Sequence, residues 1–354
     1  MNVTYEALER ASHSHGDGFW LLDRTIVRAN LRCFLEAFRW AGWRDVSLGW
    51  SFKTCWIPQV VQVALEEGAF PEVVSRHEVE LALAMGAAGH QLIFNGPLKS
   101  SEDLERVHSL GGVVHLDAAH EVDAALQIAS ANPGRLHRVG LRANIDLGLP
   151  DRGRFGLDAE AGELQREAPR LRRATNIHIE GLHVHISGAR RPEQFEARAR
   201  KLIGLADEIG GGVRYLDLGG GFAGTVPAAL RSQMAVPPAT VAEYARAIVG
   251  AMRERWPSGD GPTLILEPGM ALVADAMTFA ARVGSVKSIG AKRHAIVGAS
   301  VYTVKPTLHT LDMPFTVFRP PHRRAEQLPT VVSGYTCMEI DVLSRANLER
   351  LDIG

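Results

Sequence analysis

The sequence predicts an α/β fold, a (β/α)8 barrel over residues 24–272, joined to a second, all-β domain built from residues 1–23 and 273–354. Three observations carry that reading. Eight short apolar runs alternate with amphipathic, helix-like segments between residues 46 and 269. Almost every run ends in a polar residue or a glycine, and after about residue 275 the long helical spacers disappear. Strict alternation implies a parallel sheet, and eight such units close most naturally into a barrel, although an open doubly wound sheet alternates in the same way.

In chain order, FWLLD (19–23) reads as a strand of the second domain, leading into the helix TIVRANLRCFLEAFRWAG. The barrel runs are VSLGWSFK (46–53), PEVVS (71–75), QLIFNG (91–96), VVHLD (113–117), RVGLRANI (138–145), GLHVHIS (181–187), YLDLGG (215–220) and TLILEPG (263–269). Between them lie helical stretches such as IPQVVQVALEEG, AHEVDAALQIASA and TVAEYARAIVGAMRERW. The strands deliver Lys53, Ser75, Asn95, Asp117, Arg142, Asn144, His185, Gly219 and Glu267 to their C-terminal ends, where barrel enzymes collect functional groups. Beyond the barrel, TFAARVGSVKSIG, RHAIVGASVYTV, PFTVFR and PTVVSGYTC are short and β-branched and read as antiparallel strands.

Composition narrows the function. The 354 residues are 46% hydrophobic and 22% charged, with a formal net charge of −1. No basic excess points to nucleic acid, and no apolar run is long enough for a bilayer. The N-terminus lacks a basic start followed by an apolar core, so the expected location is cytoplasmic. Three scattered cysteines suit neither a disulfide framework nor a zinc site.

Four features carry chemistry. Lys53 closes a buried run, where desolvation favours the neutral, nucleophilic amine; the alternative is a lysine that carries its charge into solvent. Gly219, Gly220 and Gly221 follow the seventh strand and suit a phosphate loop, the alternative being a flexible turn. Glu267 ends the eighth strand and needs a cationic partner, either a protonated pyridine nitrogen or an arginine. His183 and His185 alternate on one face of a strand; they could ligate metal, but no third ligand stands at an obvious spacing, and an imidazole stacked on an aromatic cofactor suits the location better.

The motifs SFKTCW, VVSRHEVELA, IFNGPLK, VGLRAN, RFGL, GLHVHIS, LDLGGGF, LILEPG and GYTCMEID run in one order from residue 51 to 341. As a set they resemble the fold-type III pyridoxal phosphate decarboxylases, the family of diaminopimelate and ornithine decarboxylases. The resemblance implies a barrel with a β domain like the C-terminal domain of alanine racemases, pyridoxal 5′-phosphate as cofactor, a small amino-acid substrate and a homodimer with shared active sites. It implies Lys53 as the Schiff-base lysine, Glu72 as its acidic neighbour, His185 as the ring-stacking histidine and Arg142 near the ring hydroxyl. Gly219, Gly220 and Gly221 are implied at the phosphate and Glu267 at the pyridine nitrogen, with Ser187 and Gly269 as further expected cofactor contacts. Cys337 resembles the cysteine that enters the partner subunit's site and handles a proton at Cα. Racemase relatives carry arginine at the pyridine nitrogen, so the glutamate favours decarboxylation.

The chain also departs from the family pattern. EPGR reads EPGM, with Met270; HIGS reads HISG; and the acidic residue after the cysteine, which meets a distal ammonium, is Met338. A methionine cannot pair with an ammonium, so the expected substrate lacks that charge and resembles the citryl-diaminopropionate conjugates of siderophore pathways. Lys305, His309, His77 and Arg190 are candidate contacts for its carboxylates. The alternatives are a diaminopimelate-, ornithine- or lysine-type decarboxylase with an altered pocket, or a non-catalytic regulatory homologue. Relatives continue past LERLDIG into further strands, so the β domain is expected to be shortened.

Overall fold

The computed structural model describes residues 3–306 and 310–354. In its first third the elements are α1 (Tyr5–His15), β1 (Gly18–Leu22), α2 (Arg24–Ala41), β2 (Val46–Ser51), α3 (Pro58–Glu66), β3 (Phe70–Val73), α4 (Arg76–Ala84), β4 (Ile93–Phe94), α5 (Ser101–Ser109) and β5 (Val113–Leu116). Next come α6 (Ala119–Ala131), β6 (His137–Asn144), β7 (Leu157–Asp158), α7 (Glu163–Arg172), β8 (Ile177–His183), α8 (Pro192–Glu208), β9 (Tyr215–Asp217), α9 (Ala228–Arg231), α10 (Val241–Arg255) and β10 (Thr263–Leu266). The remainder holds α11 (Gly269–Val273), β11 (Met277–Ala281), β12 (Val283–Ile289), β13 (Lys292–Val297), α12 (Val301–Val304), β14 (Thr330–Ser333) and β15 (Val342–Ser344).

Two compact units result. The larger comprises Arg24–Gly224 with Ala239–Ala274. Its strands run β5-β4-β3-β2-β10-β9-β8-β6, and β6 pairs back onto β5. Every pairing around this ring is parallel, so the sheet closes into an eight-stranded barrel. Strands covered on both faces read as continuous apolar runs, and β2 is buried at all but one position. The outer helices are amphipathic: α2 buries Val27, Leu31, Phe34 and Phe38 at helical spacing. Inside the barrel, glycines make room for rings. A Cβ on Gly181 would stand 2.2 Å from the Tyr215 ring, and one on Gly140 would stand 2.3 Å from His115.

The smaller unit gathers Met1–Asp23, Thr225–Pro238 and Asp275–Gly354. The stretch Thr225–Pro238, which the sequence reading kept inside the barrel, clusters here instead. β1 and β11 form an antiparallel pair, so FWLLD is a strand of this unit. A second sheet runs β12-β13-β14-β15 around Ala295, Val297, Val301, Val332 and Leu343. Two local expectations fail here. β13 and β14 are parallel, because α12 and a long excursion separate them. PFTVFR is irregular: it finds no ladder partner among the described residues, and prolines close it at both ends. Among the described residues no helix is long and apolar enough to cross a membrane.

Candidate active site

The C-terminal ends of the barrel strands assemble a cluster around Lys53. This residue lies in the turn after β2, and its Nζ donates to both oxygens of Glu72, each at 3.1 Å. Glu72 is fully buried on β3. Asn95, just past β4, donates through Nδ2 to Glu72 Oε1 at 3.3 Å and also to Glu267 Oε1. One amide therefore bridges the two buried carboxylates. Gly49 on β2 leaves the room they need: a Cβ there would meet Glu267 Cγ at 3.3 Å and Glu72 Cβ at 3.5 Å.

The protonation of this cluster differs from expectation at Lys53. Burial is the largest single influence and does push the amine toward neutrality, but attraction by Glu72 and Glu267, with the Glu72 hydrogen bonds, outweighs it and raises the pKa. In the resting protein Lys53 is an ammonium. Glu72 is itself displaced upward, first by burial and then by Glu267, so a proton acceptor of raised affinity stands against the lysine.

Arg142, on β6, donates from Nη1 to Asp117 Oδ1 and to the Asn95 carbonyl, both at 3.1 Å, and its guanidinium lies 4.6 Å from the Phe155 ring centre. Behind it Lys99 and Glu121 form an ion pair at 2.8 Å with no exposed side-chain surface.

His185 follows β8 and accepts the Gly220 N–H at Nδ1, 2.9 Å away. Burial holds its pKa down at about 3, so the ring is neutral and keeps its proton on Nε2. His183 lies deeper, stacked on His115 with ring centres 4.9 Å apart. Both are pushed well below the usual imidazole range, chiefly by burial. His115, His183 and Asp217 bring ligand atoms within 4.8 Å of one another. Of the two histidines that alternate on the strand only His183 belongs to this group, and its two companions come from β5 and β9. Asp217 Oδ1 accepts the Gly219 N–H at 2.8 Å; burial, and then the neighbouring Glu267, push its carboxyl well above the usual range.

The glycine loop is tighter than an open cradle. Gly219 and Gly221 have φ of 65° and 104°, which disfavour side chains. A Cβ on Gly220 would stand 2.4 Å from the Glu267 carbonyl oxygen. Two of the three loop amides already have protein acceptors, so only that of Gly221 lacks one among the described residues. Gly269 likewise commits its amide, to the Glu267 carbonyl at 2.8 Å, and serves by admitting Thr54, whose Oγ1 lies 2.4 Å from where a Cβ would be.

The remaining expected residues scatter. Ser187 and Arg190 are exposed on the loop after β8, with Arg190 Nε donating to the Ser187 carbonyl at 3.0 Å. His77 is exposed at the start of α4. Lys305 is no surface cation: it is buried in the smaller unit and donates to the carbonyls of Leu311 and Leu343, so it is built into that unit's fold instead of awaiting a carboxylate. Cys337 and Met338 are exposed on the segment after β14. His309 lies outside the described residues. Asn95, Asp217 and His115 were missed as site residues; the polar strand end of QLIFNG was the one available signal for Asn95, whereas the other two look like ordinary strand residues.

Comparisons with known proteins show the family and the fold. The family described as "Pyridoxal-dependent decarboxylase, pyridoxal binding domain" matches residues 25–274. Diaminopimelate decarboxylase of Pseudomonas aeruginosa is 30% identical over 334 residues, covering 89% of this chain and 75% of that protein. The Bacillus subtilis enzyme of the same name is 27% identical over 322 residues, covering 84% and 70%. Among solved structures, Helicobacter pylori diaminopimelate decarboxylase complexed with L-lysine superposes with a TM-score of 0.79 at 22% identity, over 98% of this chain and 86% of the other. Lysine/ornithine decarboxylase of Vibrio vulnificus complexed with putrescine gives 0.75 at 22% identity, over 99% and 89%. These two likenesses speak for the fold, a barrel with a separate sheet domain. Together the matched barrel and the similarity along nearly the whole chain identify it as a member of the pyridoxal-dependent decarboxylase family, a pyridoxal 5′-phosphate-dependent amino-acid decarboxylase.

Proposed function

We propose that the chain decarboxylates an α-amino acid of the diaminopimelate, lysine or ornithine class, with Met338 in place of the acidic residue that the family pattern carries after its cysteine. The observation that carries this reading is the Lys53–Glu72–Asn95–Glu267 cluster at the barrel mouth, taken with relatives named diaminopimelate decarboxylase. None of the relatives above bears a name from siderophore synthesis, so the citryl-conjugate substrate takes second place. Met338 keeps that second reading alive, since its thioether offers a distal ammonium no charge.

The residues fit the cofactor. A reachable amine, a carboxylate one strand away, a neutral imidazole and a loop closed to side chains match the aldehyde, pyridine nitrogen, ring face and phosphate of pyridoxal 5′-phosphate. When bound, the cofactor supplies a ring that accepts the electron pair left on the substrate's α-carbon as carbon dioxide departs. Lys53 is the residue to carry it, and Glu72, at 3.1 Å with raised proton affinity, takes the proton that Lys53 must first lose. Glu267, held by Asn95, is the partner for a pyridine N–H. A neutral His185 can lie against a cationic ring without repulsion. Arg142, fixed by Asp117, presents a permanent cation to the ring hydroxyl. The homodimer and the proton-handling role of Cys337 are carried over from the resemblance; a fully active monomer in sedimentation would contradict both.

Carbon dioxide release from meso-diaminopimelate, L-lysine, L-ornithine and citryl-linked diaminopropionate tests the reading. Turnover of diaminopimelate or a free diamino acid supports it. Turnover confined to the conjugate moves the second reading to first place.

A further inference from the structure

Arg198, on α8, is fully buried and has no carboxylate within reach among the described residues. Its guanidinium instead donates to four carbonyls: Leu218 at 3.2 Å and Gly220 at 3.1 Å through Nη1, and Ile186 at 2.7 Å and Ala189 through Nη2. The Phe195 ring covers it from 4.1 Å. A buried cation without an anion is costly, and four carbonyl dipoles compensate it only in part. Its proton affinity is accordingly reduced, to a pKa of about 9, chiefly by burial.

The four carbonyls belong to two loops, 186–189 and 218–220. In a trans peptide each C=O points opposite to the following N–H. Drawing the carbonyls of Ile186, Ala189 and Gly220 inward therefore turns the amides of Ser187, Arg190 and Gly221 outward. None of those three amides has an acceptor among the described residues. Gly221 joins the two loops spatially: a Cβ there would lie 3.8 Å from Arg190 Cγ and 3.9 Å from Arg198 Nη2.

We propose that Arg198 is the positioning residue for the cofactor's phosphate. It fixes both loops so that three backbone amides face one anion, and its uncompensated charge draws that anion from behind the peptide planes. The inference rests on the reading that pyridoxal phosphate binds here, and it adds a residue that does not touch the reacting atoms.

Pyridoxal, which has the aldehyde but no phosphate, separates the two claims. Binding of pyridoxal 5′-phosphate and of pyridoxal is followed by absorbance in wild type, Arg198→Lys and Arg198→Met. The expected result is a loss in pyridoxal 5′-phosphate affinity on the order of 10- to 100-fold, with pyridoxal affinity within about twofold of wild type. Equal losses for both compounds, or no loss, overturn the proposal. In wild type, inorganic phosphate should displace pyridoxal 5′-phosphate but leave pyridoxal bound; its failure to compete overturns the proposal even should neither variant fold. A wild-type protein that binds neither compound refutes the cofactor reading instead.

Discussion

Both carboxylate oxygens of Glu72 lie 3.1 Å from the Lys53 ammonium, so the nucleophile is stored in its protonated form beside the group that can deprotonate it. Removing the Glu72 charge takes away attraction and leaves desolvation in place, which must lower the lysine's pKa. In Glu72→Gln, the pH midpoint for labelling Lys53 in the cofactor-free protein is expected to move down. A midpoint that stays or rises would contradict the balance of forces assigned here.

Asn95 is the hinge of the buried acidic pair. Asn95→Leu leaves Glu72 and Glu267 without their shared donor and should cost roughly 1–3 kcal/mol in urea unfolding. The same variant should weaken pyridoxal 5′-phosphate binding, because Glu267 is then free to turn.

The Lys99–Glu121 pair has no exposed side-chain surface, and burial pushes Lys99 down and Glu121 up. Lys99→Met strands a buried carboxylate and is expected to lose about 3–5 kcal/mol of stability, whereas Lys99→Met with Glu121→Leu should lose much less. Additive losses in a double-mutant cycle would show the pair to be uncoupled.

His108, buried on α5 against the His137 ring, titrates at about 3, mainly because of burial. Unfolded, it takes a proton near pH 6.5; folded, it does not until about pH 3. Its contribution is therefore present above about pH 6.5 and lost as the pH falls toward 3, at about 1.4 kcal/mol per pH unit. His108→Leu should remove close to one proton from the uptake on unfolding at pH 5, read as a shallower acid limb of the urea midpoint. An unchanged limb would mean that His108 is protonated in the folded protein.

The barrel was legible because parallel strands buried on both faces must be apolar runs, and eight of them stand between helical segments. Residues at strand ends could be assigned to the mouth of the barrel for the same reason. Charge balance was not legible: Lys53 looked neutralised because its partners, Glu72 and Glu267, approach from other strands. Lys305 looked like a cation for substrate carboxylates because nothing local shows that the carbonyls of Leu311 and Leu343 wait for it. Arg198 reads as one more surface arginine in EARARK, and only the packing of α8 over two loops reveals its burial. PFTVFR has the composition of a strand, yet strand formation depends on a partner that sequence does not display.

Reduction of the pyridoxal 5′-phosphate-loaded protein with borohydride, followed by peptide mass mapping, tests most directly which amine holds the cofactor. A pyridoxyl label on Lys53, absent from Lys53→Ala, is the expected result. A label on Lys99 or another lysine, or coloured protein from the Lys53→Ala variant, would contradict the assignment at the centre of the site.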